Sequence, residues 1–459
     1  MADTIQGLAD LLFMPPIVTL LLGTGLFLTI RFRGVQIRRI REAFKEMVAG
    51  QTDGATGALS PFQAFMTALA ATIGTGNIAG VATAIISGGP GALFWIWVYG
   101  FFATTLKFSE AVLGVKFREQ QGDHLRSGPM YYLRDGLKSP SLAWIYACVA
   151  GIAALTTTPF TQPNSIAIAV NYVWPSGEMV VPILGTVNRT ALFTGIVLAI
   201  MTWAVIIGGI KSIGRAVEKL SPIKVGLYLI GGAVVILTFI DRVPYVMSLV
   251  VDEAFASPGR SGLGFGIFIA MRYGIARGIY ANEAGYGTAA VAYGTAKSNR
   301  PEQQGLQAVM EVFIVSFVTG TISAMAILLS GVAESSIAAR AAGEAGVTST
   351  AAVATAFNMA VPVVGGWVVA FCAFLFGYTT LIGWAYYGEQ FLEYILGRGV
   401  TKPYRYVYCL LIPIGAVLKP DLVWAWGDLM NGLQVFPNVI GLLGLSGVVA
   451  AYANSRGKK

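Results

Sequence analysis

The sequence predicts an all-α polytopic membrane protein with 11 transmembrane helices, one extra N-terminal helix plus a core of two five-helix halves. Three observations carry this expectation. Of 459 residues, 55% are hydrophobic and only 12% are charged, where soluble proteins average about 25% charged. Basic residues gather in alternate loops. Glycine-rich interruptions fall inside apolar segments at matching places in the two halves.

A spanning helix needs about 20 mostly apolar residues. Eleven segments qualify in chain order: 11–30, 62–86, 90–116, 140–173, 189–210, 221–240, 262–296, 305–332, 361–394, 404–419 and 421–453. The positive-inside rule tests the count. With the N-terminus outside, the first inner loop holds Arg31, Arg33, Arg38, Arg39, Arg41 and Lys45. The second holds Lys116, Arg118, Arg126, Arg134 and Lys138. Later ones hold Lys211, Arg215, Lys219 and Lys224, then Lys297 and Arg300, then Arg398, Lys402 and Arg405. The C-terminus adds Arg456, Lys458 and Lys459, so 23 of the 31 basic residues fall inside. This predicts a multi-pass cell-membrane protein, N-terminus outside and C-terminus cytoplasmic, in contact with membrane lipids. The net charge of +8 therefore needs no nucleic acid to explain it, and no protein partner is implied.

The organisation follows. Residues 1–61 form the extra helix and a basic cytoplasmic segment, 62–240 the first five-helix half, 262–453 the second, and 454–459 a basic tail. Acidic Asp3 and Asp10 stand where a cleavable leader would carry positive charge. Val35, Ile37, Ile40, Phe44 and Met47 give 35–47 the pattern of an amphipathic surface helix, with a solvated basic loop as the alternative. Cys148, Cys372 and Cys409 have no metal-type spacing and read as small core residues. The one histidine, His124, lies in a charged loop, which leaves no histidine relay or cluster.

The stretch 71–82, ATIGTGNIAGVA, sits at membrane depth. Gly74, Gly76 and Gly80 weaken the helix, and Thr72, Thr75 and Asn77 add polar groups beside them. Broken backbone is tolerated there only if it is buried in protein or lines a cavity. The second half opens on a similar segment, with Gly262, Gly264, Gly266, Gly274, Gly278, Gly285, Gly287 and Gly294. Five helices per half is an odd number, so the halves enter the membrane with opposite polarity, as an inverted repeat. Gly-interrupted segments at corresponding positions point to a transporter's binding site. Freed N–H groups suit a carboxylate and freed carbonyls suit Na⁺. The bland alternative is close helix packing, which the four-residue spacing of Gly76 and Gly80 also fits.

At these residues the chain resembles the alanine or glycine:cation symporter family. The marks are GTGNIAGVATAIISGGPGALFW from Gly74 to Trp95 and ARGIYANEAGYG from Ala276 to Gly287. The resemblance spans nearly the whole chain. It implies the LeuT fold, a 5+5 inverted repeat with two discontinuous helices, and cotransport of a small neutral amino acid, alanine or glycine, with Na⁺ as coupling ion, or with H⁺ in some members. Backbone N–H groups near Thr75 and Gly76 would hold the substrate carboxylate. Carbonyls of Ala70, Ile73 and Phe376 with the hydroxyls of Thr379 and Thr380 would hold Na⁺. Oxygen-only ligation suits such a hard cation. Ala71 stands where the fold's prototype has Asn, and Thr72 where it has Ala. The sixth core helix is expected to break near Gly274–Gly278, putting Gly274, Ile275 and Gly278 at the substrate and Tyr273 as an aromatic gate.

Ionisable residues at membrane depth are functional candidates. Arg272, Arg277 and Glu283 suggest a structural or gating ion pair. Lys107 and Glu110 are three apart and suggest an i,i+3 pair. In TTTPFTQPNS, from Thr156 to Ser165, Gln162 or Asn164 could reach a substrate ammonium, or the prolines could simply kink the helix. Trp384 could cap the substrate's methyl side or be a packing aromatic. Rival classes find little support. No HExxH, GxSxG or Walker A run points to an enzyme or pump, and no repeated filter run points to a channel.

Overall fold

The computed structural model describes residues 2–47, 57–121, 124–182, 184–257, 266–344 and 346–455. Gly262, Gly264, Arg260, Arg456, Lys458 and Lys459 lie outside the described residues.

The chain is mostly helical. Thr4–Arg31, Pro140–Val173, Arg189–Ile206, Gly209–Thr238, Pro301–Leu329 and Val364–Leu396 are each long and apolar enough to cross a membrane. Two bent pairs also qualify: Pro61–Thr72 with Thr75–Gly88, bent by 60°, and Pro420–Gly444 with Ser446–Asn454, bent by 62°. Helices also occupy Ala92–Lys116, Ile267–Asn282 followed by Thr288–Gly294, and Thr401–Val417. Large apolar side chains such as Ile30, Phe193, Ile200, Ile230 and Leu237 are exposed on the outer helices, as a bilayer-facing surface requires. Ile37 and Phe44 are likewise exposed while Val35 and Ala43 are buried, so Val35–Arg38 and Ile40–Met47 keep one apolar stripe free.

The connections hold small elements that hydrophobicity alone did not signal. Glu119–Gln121 pairs antiparallel with His124–Arg126, and Glu178–Val181 with Gly185–Asn188. Short helices Val332–Ala341 and Ser349–Ala360 precede the helix Val364–Leu396.

Three expectations need correction. Lys224 is not in a loop: the helix starts at Gly209, and Lys224 is fully buried on it. Gly274 and Gly278 do not break their helix, which runs unbroken over Ile267–Asn282. They are packing glycines; a side chain at Gly274 would strike the Ala92 carbonyl, and one at Gly278 the Tyr99 ring. The interruption comes later, between Asn282 and Thr288. Finally, Lys107 pairs with Glu311 at 2.9 Å rather than with Glu110. Glu110 instead accepts N–H bonds from Gly285 (2.8 Å) and Gly287 (3.1 Å) in that interruption. Tyr99 and Asn438 donate to the carbonyls of Ala284 and Gly285 there. This pairing answers the demand that buried backbone be satisfied.

Candidate functional site at the first helix break

Helix Pro61–Thr72 starts firmly. Ser60 and Gln63 form a reciprocal capping box, with Pro61 in the first turn. It ends because Gly74 is extended and a short 3-10 turn, Thr75–Asn77, follows before Ala79–Gly88 resumes. The glycines are sterically required. A Cβ at Gly74 would lie 2.8 Å from Thr380 Oγ1 and 2.9 Å from Gln162 Oε1, and one at Gly76 would lie 2.8 Å from Tyr280 Cδ1.

The break frees carbonyls, and their partners come from distant helices. Thr380 Oγ1 donates to the carbonyls of Ala70 (3.1 Å) and Ala71 (2.9 Å). Thr379 Oγ1 approaches the carbonyls of Ala70 at 3.2 Å and Phe376 at 3.1 Å. Into this cluster comes Lys224. Its ammonium donates to Ile73 O at 2.7 Å, Ala70 O at 3.2 Å and Thr379 Oγ1 at 2.6 Å, which accounts for the three donors it possesses. It also sits 5.4 Å from the Phe376 ring centroid. A cation at the C-terminal end of a half-helix is electrostatically favoured. Of the five residues expected around sodium, Ala70, Ile73 and Thr379 thus bond the ammonium of Lys224, Phe376 faces it with its ring, and Thr380 bonds the Ala70 and Ala71 carbonyls beside it.

On the N–H side, Gln162 Oε1 accepts from both Thr75 N and Thr75 Oγ1 at 2.9 Å. Asn77 is tied into the break itself: Nδ2 donates to the Thr72 carbonyl at 3.1 Å, and the Asn77 backbone carbonyl accepts from Ser323 at 2.5 Å. Thr72 donates to Glu311 at 2.5 Å, and Glu311 also holds Lys107 and Tyr293.

A small cavity of about 10 Å³, room for about one water, adjoins the break. Thr72, Gly76, Gln162, Thr380 and Trp384 line it, as do Ala71, Gly74, Thr158, Tyr280, Glu283, Tyr286 and Asn431. Thr75 and Asn77 are buried behind it, and Tyr273, Gly274, Ile275 and Gly278 are not among its lining residues. Tyr273 lines a separate, wider vestibule of about 490 Å³ together with Gln6, Arg277, Arg340 and Trp424.

A plug divides the two spaces. Tyr280 lines the cavity, its hydroxyl donating to Thr161 at 2.9 Å. Its ring meets Trp424 at 5.0 Å between centroids. Arg277 lies over Trp424 at 5.0 Å and pairs with Asp428 through two bonds of 2.9 and 2.6 Å. The ion pair anticipated for Arg277 is thus made with Asp428, while Arg272 pairs with Asp10. Glu283 forms no ion pair among the described residues; it accepts instead from Trp384 Nε1 and Thr288 Oγ1. Asn164 does not reach the cavity and donates to the carbonyls of Gly415 and Leu418.

Sequence reasoning missed Lys224 and Glu311, although a signal existed. Val217, Ser221, Lys224, Tyr228 and Val235 form one buried helical stripe, and Glu311 lies on a helix, Pro301–Val312, that is buried almost all round. A charge on a buried stripe is a stronger mark than its position in a hydropathy plot.

A model described as the sodium:alanine symporter family matches residues 1–457. The chain is 38% identical over 445 residues to the sodium/alanine symporter AgcS of Methanococcus maripaludis, covering 95% of this chain and 93% of that one. It is 32% identical over 433 residues to the amino-acid carrier protein AlsT of Bacillus subtilis, covering 94% and 86%. The crystal structure of MhsT in complex with L-phenylalanine matches with a TM-score of 0.53 at 13% identity, covering 86% of this chain and 100% of that one. At that identity the likeness concerns the fold alone, which is that of LeuT-type transporters.

Proposed function

The chain belongs to the sodium:alanine symporter family, and from that premise we propose that it carries alanine or glycine inward with Na⁺ by alternating access. It is a multi-pass membrane transporter and not an enzyme. The observation that carries the substrate assignment is the polar lining of the cavity at the first break, with Thr72, Gly76, Gln162 and Glu283, closed from the vestibule by Tyr280, Trp424 and the Arg277–Asp428 pair. At about 10 Å³ the cavity is contracted in this conformation, and glycine or alanine demands the least widening of any amino acid.

In this scheme the substrate carboxylate takes the N–H groups of Thr75 and Gly76, displacing the Gln162 amide oxygen that accepts from Thr75 now. Trp384 and Thr72 wall the cavity, and Asn77 keeps the break in shape. Sodium takes the oxygens of Ala70, Ile73, Phe376, Thr379 and Thr380 once the Lys224 ammonium withdraws. Joint binding biases the outward–inward equilibrium. The topology that goes with this is eleven spans, N-terminus outside, with the inverted halves at 62–240 and 262–453.

A second coupling scheme has one specific observation in its favour. Lys224 already supplies a cation to those oxygens, so the cycle can run on a proton without sodium. Proteoliposomes separate the two. Alanine uptake should follow an inward Na⁺ gradient; uptake driven by a proton gradient alone would give the coupling to Lys224. Uptake that neither saturates nor runs uphill would reject symport altogether.

A further inference from the structure

Glu283 is the one carboxylate lining the cavity among the described residues. It caps helix Ile267–Asn282 in the left-handed region, at φ 55°, a conformation uncommon for a residue other than glycine. That turn carries its side chain back to the break, where it is 5% exposed. Both oxygens are held. Trp384 Nε1 donates to Oε1 at 2.7 Å, and Thr288 Oγ1 donates to Oε2 at 2.9 Å. A carboxylate can accept about four hydrogen bonds, so half its capacity is unused.

The neighbouring buried charges are committed elsewhere. Lys107 is on Glu311, Arg277 is on Asp428, and Lys224 is on the Ala70 and Ile73 carbonyls. No cation hydrogen-bonds Glu283 among the described residues, a buried ionised carboxylate without such a partner is costly, and Glu283 lines the cavity. The same cavity is lined by Gly74 and Gly76, just before the resumed helix and its free N–H groups. The lining thus combines a carboxylate with backbone N–H groups, the two kinds of partner a zwitterion needs.

We propose that Glu283 binds the ammonium of the substrate, with Trp384 and Thr288 fixing the carboxylate's orientation. The site then selects α-amino acids over the hydroxy acids of the same shape. This rests on the reading of the cavity as the amino-acid site. It also gives Trp384 a role through its indole N–H rather than only through its ring.

The test compares binding of L-alanine and L-lactate, which differ by ammonium against hydroxyl, to purified full-length protein in sodium buffer. Wild type should prefer alanine strongly. Glu283→Gln should weaken alanine by about 100-fold, as expected when one member of a buried charge pair is removed, and leave lactate nearly unchanged. Equal alanine affinity in wild type and E283Q overturns the proposal while the amino-acid site stands. A changed sodium requirement with an unchanged alanine-to-lactate ratio also overturns it, because the carboxylate then serves the ion. Wild type that binds alanine no better than lactate rejects the proposal and the substrate assignment together. If E283Q is not recovered folded, Glu283→Asp decides: the shortened carboxylate should weaken alanine about tenfold more than lactate, and equal weakening of both is the contrary result.

Discussion

The ammonium nitrogen of Lys224 lies 2.6 Å from Thr379 Oγ1. The two residues come from helices Gly209–Thr238 and Val364–Leu396, and they meet over the last carbonyls of Pro61–Thr72. Three helices are thereby tied at one point by a single cation. Whatever moves these helices apart must also release that ammonium.

The first prediction concerns this tie. Lys224→Ala should cost about 1–3 kcal/mol for each carbonyl left without a donor, read as a lowered unfolding midpoint. The vacated oxygens should then accept sodium, so the variant should gain a sodium-dependent rise in midpoint larger than wild type shows. Absence of that rise would mark the oxygen cluster as a structural fixture only. Thr379→Ala with Thr380→Ala should abolish the sodium response of the Lys224 variant.

Gln162 offers a test of the N–H wall. Its amide oxygen bonds to Thr75 N at 2.9 Å. Gln162→Glu puts a tethered carboxylate there, on the groups reserved for the substrate's own. Alanine affinity should fall by at least about tenfold, with the unfolding midpoint kept or raised. Unchanged alanine affinity would remove Thr75 from the substrate site.

The glycines of the break should tolerate no side chain. Gly76→Ala would set a methyl 2.8 Å from the Tyr280 ring, and Gly74→Ala one at 2.8 Å from Thr380 Oγ1. Both variants should lose uptake. Gly343→Ala has open space but a positive φ of 78°, so it should cost a little stability and leave uptake intact. Comparable uptake in all three would show that the break is not the transport site.

The plug makes a prediction about pairs. Removing one partner of a buried ion pair costs about 3–5 kcal/mol. Arg277→Ala and Asp428→Ala should each approach that loss in denaturant titrations. The double variant should lose less than the two single losses added together. Additive losses would mean that the pair at 2.6 Å contributes no coupling.

How much of this was legible beforehand varies by feature. The first break was readable because glycine, threonine and asparagine side by side cannot continue an apolar helix at membrane depth. The second was misplaced by about two turns. Gly274 and Gly278 looked like breakers but let helix Ile267–Asn282 approach Ala92 and Tyr99. The actual interruption at 283–287 includes Glu283 and Tyr286, and it survives because Tyr99, Glu110, Tyr146 and Asn438 satisfy its backbone. Partners that distant leave no local trace.

The residues of 71–82 alone require this helix to open, since their glycines and polar groups cannot make a continuous apolar span. Composition places that opening within a helical membrane protein. What fills the opening is a matter of the folded bundle. Lys224 is 151 residues from Ile73 in sequence, and Thr380 is 309 from Ala71. A freed carbonyl announces that it needs a donor. Which of several buried donors reaches it depends on how the helices cross, and that is set by packing across the whole bundle rather than by any one segment.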